Sequence, residues 1–116
     1  MKIDEQLQAL ENNIASAKGI KELGAALDRL FLNTDFKLVI KTGYFEKEAV
    51  RLVHLKGAPH MQTKEMQDSV IKQIDAISTL SDYLRVVSQQ ANFAVNTIES
   101  DELTREELLA EAIANG

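Results

Sequence analysis

With 116 residues, 45% of them apolar and 27% charged, the chain has the size and composition of one folded domain, a balance at odds with disorder throughout. It contains no cysteine, which excludes disulfides, thiolate nucleophiles and cysteine metal ligands together. The net charge of −5 is uneven: residues 101–116 hold five acids against one base, whereas residues 34–60 hold five bases interrupted by three acids, a poor match for the continuous basic face that duplex DNA requires.

The opening MKIDEQLQALENN has one lysine and then acids and amides, which is not the pattern of a signal peptide. A first helix is expected from about Ile3 to Ala17. Its apolar residues Ile3, Leu7, Leu10, Ile14 and Ala17 are spaced 4, 3, 4, 3, the spacing of a coiled-coil seam. Gly19 is expected to end it, so that residues 1–17 could project as an arm from a helical domain covering 1–100. A second segment, IKELGAALDRLFL, sets Ile20, Leu23, Leu27, Leu30 and Phe31 on one side, with Gly24 as a weak point inside. Asn33-Thr34-Asp35 then reads as a stop and restart, with Thr34 or Asp35 as the cap.

Residues 36–56 admit two readings. As helix, Gly43 sits at a joint, and Phe45, Ala49, Leu52 and Val53 recur at i, i+4, i+7 and i+8. As strands, FKLVI and AVRLVHL flank a Thr-Gly turn, because short apolar runs do not separate the two. The run EKEA tilts the balance to helix. Gly57 and Pro59 end the segment.

A long helix is expected over about 63–99, starting at Thr63 as N-cap with Glu65 in its first turn. Residues 70–98 contain neither proline nor glycine, and Val70, Ile77, Leu84, Ala91 and Ile98 recur every seven residues. The opposite side, from Asp75, Ser78, Asp82 and Arg85 to Gln89, Asn92, Asn96 and Glu99, is polar at every position. A helix of that span is on the order of 55 Å long, packed along one face and solvated along the other. Tyr83, Val86 and Phe93 flank the packed stripe and are candidate contacts, with another subunit or with the chain's own other helices. The final segment, residues 101–116, reads as a separate acidic amphipathic helix. Thr104 and Glu107 fit a capping box, Leu103 and Leu108 a hydrophobic staple, and Leu108, Leu109, Ala112 and Ile113 a narrow apolar strip suited either to a partner's groove or to packing on the chain's own bundle.

The fold class expected is therefore all-α: an elongated helical hairpin or bundle with one long helix, shorter N-terminal helices and a short C-terminal one. No run approaches the roughly 20 apolar residues that cross a bilayer, so a soluble intracellular protein without membrane contact is the expectation. His54 and His60 have no third ligand at local spacing, so no metal is expected. Gly19 to Gly24 has the glycine interval of a phosphate loop but lacks its Lys and Ser/Thr. Adjacent acids such as Glu46/Glu48 and Glu106/Glu107 point different ways on a helix, and the serines have no paired histidine. Neither catalytic residues nor a cofactor are expected; the chain reads as a non-enzyme.

Beyond these patterns, Asn33-Thr34-Asp35-Phe36, Gly43-Tyr44-Phe45, Glu48-Ala49 with Arg51-Leu52, and Ile74 with Ala76-Ile77 resemble small α-helical structural and head-assembly proteins of tailed bacteriophages. The resemblance covers about residues 33–87. It implies a virion component attached to the head or portal, present in many copies, binding capsid or portal proteins and residing in host cytoplasm during assembly. It carries no catalytic residues. The attachment elements expected are the seam of Ile3, Leu7, Leu10 and Ile14, the flank of Tyr83, Val86 and Phe93, and the tail strip of Leu108, Leu109 and Ile113. Two other roles fit the same residues: an assembly scaffold or chaperone absent from the mature particle, and a small regulatory protein binding a host or phage enzyme.

Overall fold

The computed structural model describes residues 2–115; they are helical apart from short connections, and no strand occurs among them. The all-α expectation holds. Four α-helices follow in order: α1 (Lys2–Leu32), the single turn α2 (Thr34–Phe36), α3 (Ala49–Gly57) and α4 (Lys64–Asn115). A π-helix, Lys37–Glu48, fills the interval between α2 and α3, and a 3-10 turn, Pro59–Met61, precedes α4. The strand-hairpin alternative for residues 36–56 is thereby overturned. The chain divides into two compact units, Met1–Leu27 with Val87–Gly116, and Asp28–Val86.

In the first of these units α1 and α4 pack side by side. Gly19 does not end the first helix, which runs unbroken to Leu32. A glycine inside a helix costs only about 1 kcal/mol, and the buried Ile14 and Ala17 before it, with Gly24 and Leu27 after it, hold the helix on both sides. A Cβ placed on Gly24 would stand 2.1 Å from the Cβ of Ala91, so the two backbones approach closely there. Ala17, seven residues earlier, clusters with Ala94 and Ile98 instead. Moving backward on one helix moves the contact forward on the other, which makes the pair antiparallel. The same register sets the half-buried Ile3, Leu7 and Leu10 opposite the half-buried Arg105, Leu108 and Ala112.

That register also explains the end of the chain. The separate helix expected at Thr104 does not form: α4 continues through it to Asn115, the last described residue. The Thr104 hydroxyl donates to the carbonyl of Ser100 at 3.0 Å, the back-bond of a mid-helix threonine, instead of accepting from a backbone amide as a cap would. Less-exposed positions along this part of α4 fall at 98, 101 with 102, 105, 108 and 112, so the alternation of 3 and 4 carries past the capping-box motif without a break. At 1.5 Å per residue, α4's 52 residues make a rod of about 78 Å.

The second unit is organised by Leu52 and Val70, the largest fully buried side chains, with Ile77 beside them. Tyr44, Phe45, Ala49, Leu55, Met61 and Ile74 pack around this cluster. The restart after α1 is capped by Asn33, not by Thr34 or Asp35: its side-chain oxygen accepts from the Phe36 amide at 2.9 Å. Phe31 and Phe36 then meet edge to face, ring centres 5.4 Å apart. There is no joint at Gly43; the π-helix runs straight through it. Bonds running i→i+5 put more residues in each turn than the α-helix's 3.6. Phe36, Ile40, Tyr44 with Phe45, and Ala49, spaced four to five apart, can then share one side, and all are partly buried, whereas Leu38 and Val39 are exposed. Gly43 suits this geometry, since a Cβ there would lie 3.0 Å from the Leu38 carbonyl oxygen one wide turn back.

Two amides close the turn into α4. Gln62 Nε2 donates to the carbonyls of Lys56 (3.0 Å) and Ala58 (2.8 Å), and Gln67 Nε2 to those of Lys56 (2.8 Å) and Met61 (2.7 Å). They tie the Lys56 carbonyl at the end of α3, and those of Ala58 and Met61 in the turn that follows, to the start of α4. Thr63 caps α4 as expected, its hydroxyl accepting from the Met66 amide at 3.2 Å.

Candidate protein-interaction surface

Both histidines are exposed, and no group of three or more His, Cys, Asp or Glu that could hold a metal occurs among the described residues. Glu48 accepts a hydrogen bond from Arg51 one turn away, and this bond with the nearby carboxylate charge raises the guanidinium above its ordinary value. Arg85 and Asp82 pair similarly. These are surface ion pairs of the kind that contribute little. Hollows lined by Glu65, Asp68, Ser69, Lys72, Gln73 and Ala76, or by Asp75, Ser78, Thr79 and Asp82, are each bounded by α4 alone. No second element closes over them. No described helix is long and apolar enough to cross a membrane.

Apolar surface is the resource this chain has in excess. Among the described residues ten hydrophobic ones are buried, but sixteen large ones are exposed, so more large apolar side chains face outward than make up the core. Single exposed leucines are ordinary; it is their grouping into a patch that marks an interaction surface.

The residues singled out from the sequence divide into two kinds. Ile14 is 3% exposed and belongs to the interior of its unit, and Ile3, Leu7 and Leu10 are half-buried along the same seam. Val86 and Leu108 are also half-buried. By contrast Tyr83, Phe93, Leu109 and Ile113 stand out, Phe93 at 74% and Ile113 at 81% exposure.

Phe93 is set at the edge of a groove in the first unit, between α1 and α4, of about 500 Å³. Ala17 and Ala94 are buried at its base. From α1, Asn13, Ser16 and Ile20 line one side at intervals of 3 and 4; from α4, Gln90, Phe93 and Thr97 line the other at the same intervals. Such spacing gives two parallel ridges with a channel between them. The sequence reading named Phe93 but missed the groove. Its signal is a gap in the charge pattern: Val86–Ile98 is thirteen residues without one charged side chain, where the chain's 27% would place three or four. Depletion of charge with an aromatic residue retained is the composition of an interface centre.

Comparison of the chain with protein-family models, with curated proteins and with solved structures returns no match.

Proposed function

We propose that this protein works without chemistry of its own, as a helical assembly subunit that binds other proteins through exposed apolar ridges. The setting is the one implied by the resemblance over residues 33–87: a component of a tailed-bacteriophage particle, attached to the head or portal. The observation that carries the binding role is the surplus of outward-facing large apolar residues, led by Phe93 and Ile113. Burying each such side chain in a partner contributes about 1.5–3 kcal/mol, so a few of them suffice for a stable contact.

Mass spectrometry of purified particles tests the reading. The chain is expected in mature virions in stoichiometric amount, alongside capsid or portal protein. Presence in precursor heads and loss on maturation replaces the structural role with a scaffolding one. Absence from both particles, with recovery on an enzyme instead, overturns the assembly reading.

A further inference from the structure

We propose that the groove between α1 and α4 is filled by the same face of a second copy of this chain, two helical hairpins closing into a four-helix bundle about a two-fold axis. The inference rests on the assembly reading above and names the partner of one surface.

A two-fold interface is made of one patch used twice, so any protruding group must find its recess on an identical surface. This face carries both. Phe93 protrudes from the rim at 74% exposure, and the base beside it is made by Ala17 and Ala94, side chains of one methyl each. Phe93 of one copy can enter the other's channel over those methyls while the reverse insertion occurs on the other side of the axis.

Electrostatics favours a second copy over a charged partner. Two chains of net charge −5 repel, and residues 101–116, with five acids and one base, repel most. The residues lining the groove, from Asn13, Ser16, Ala17 and Ile20 on one helix and from Gln89 to Thr97 on the other, carry no charge, so two copies can meet there without placing like charges together. A partner chosen by opposite charge would need charges here to recognise. The polar residues on the rim, Asn13, Ser16, Gln90 and Thr97, are amides and hydroxyls that both donate and accept. Each can therefore pair with whichever amide or hydroxyl it meets on the other copy, which two lysines or two glutamates cannot.

The size of the face sets the strength expected. Two helices about 10 Å wide, in contact over the roughly 20 Å of Val86–Ile98, bring together roughly 800 Å² from both copies, below the standard specific interface and in the range of weak, transient ones. Pairing is thus concentration-dependent rather than obligate.

Light scattering and sedimentation of the full chain from about 1 to about 200 µM cover this range. The wild-type mass is expected to rise from one chain to two, and Phe93→Ala to weaken dimerisation at least about tenfold with the helical circular dichroism unchanged. In a second measurement, Ser16→Cys and Phe93→Cys single variants are mixed under oxidation; the chain has no cysteine of its own. A disulfide joining the Ser16→Cys chain to the Phe93→Cys chain, in preference to either homodimer, supports the packing. A wild-type chain monomeric at every concentration overturns the second-copy occupant and leaves the assembly reading to the particle test. A dimer indifferent to Phe93→Ala, with no mixed cross-link, also overturns the proposal.

Discussion

Gly19 and Gly24 lie five residues apart on one helix, and an added methyl group should have opposite consequences at the two. Nothing stands within 4 Å of a Cβ built at Gly19. Gly19→Ala therefore removes only the conformational freedom that glycine gives the unfolded chain, and is expected to raise stability by about 1 kcal/mol in urea unfolding. At Gly24 the same gain is opposed by a Cβ only 2.1 Å from that of Ala91, carried on the facing helix and unable to swing aside. Overpacking of this kind costs about 1–3 kcal/mol, so Gly24→Ala is expected to lower stability by about 1 kcal/mol. Adding Ala91→Gly moves the methyl from one helix to the other and should bring the double variant near wild type, above either single variant. An additive double variant would mean that the two positions do not meet. Sequence alone made Gly24 a weak point in a helix; its purpose is visible only once Ala91 is seen opposite it, because close approach is a property of two segments.

At the scale of elements, a proline substitution at one position decides whether the end of α4 is continuous. Were a helix to start at Thr104, Arg105 would be its first residue, where proline is welcome because no intrahelical bond uses that amide. In the observed helix Arg105 is interior. Arg105→Pro there deletes the bond to the Asp101 carbonyl and drives its ring against that oxygen, costing about 3 kcal/mol or more. A fall in melting temperature and helical signal is expected, with Arg105→Ala as the control for the lost side chain; an unchanged melt would restore the separate helix. The long helix, its capped start at Thr63 and its polar side were legible because a strict alternation of 3 and 4 over many turns has one structural solution. The breaks expected at Gly19 and Thr104 were local signals worth about 1 kcal/mol each, outweighed by seams that continue past them. The π-helix was illegible for another reason. Its apolar residues recur every four to five, a period that matches neither the α-helix nor the strand, which is why residues 36–56 read as either a jointed helix or a hairpin. For the groove the difficulty was that two helices contribute to it, and the charge-free span Val86–Ile98 marks only one of them.

For the molecule as a whole, the notable feature is that sequence ends far apart in number share one unit, Met1–Leu27 with Val87–Gly116. Ile3, Leu7 and Leu10 are half-buried at one end, and Arg105, Leu108 and Ala112 at the other. The antiparallel register anchored at Gly24 and Ala91 makes these two sets each other's covering. Removing residues 101–116 then uncovers the first set, and removing residues 1–10 uncovers the second. With about three half-buried side chains losing their cover in either case, each truncation is expected to cost about 2–4 kcal/mol in urea unfolding. Because both truncations cancel the same contact, removing both should cost little more than removing one, a departure from additivity of comparable size. A projecting arm and a free acidic tail would behave otherwise. Each would then be dispensable alone, the effects would add to nearly nothing, and removing the acids would stabilise the chain slightly by relieving repulsion. The sign of the tail truncation thus separates the two cases. A loss of stability on deleting residues 101–116, despite the repulsion removed with them, means that apolar packing along α4 exceeds the charge cost of holding five acids on its final turns.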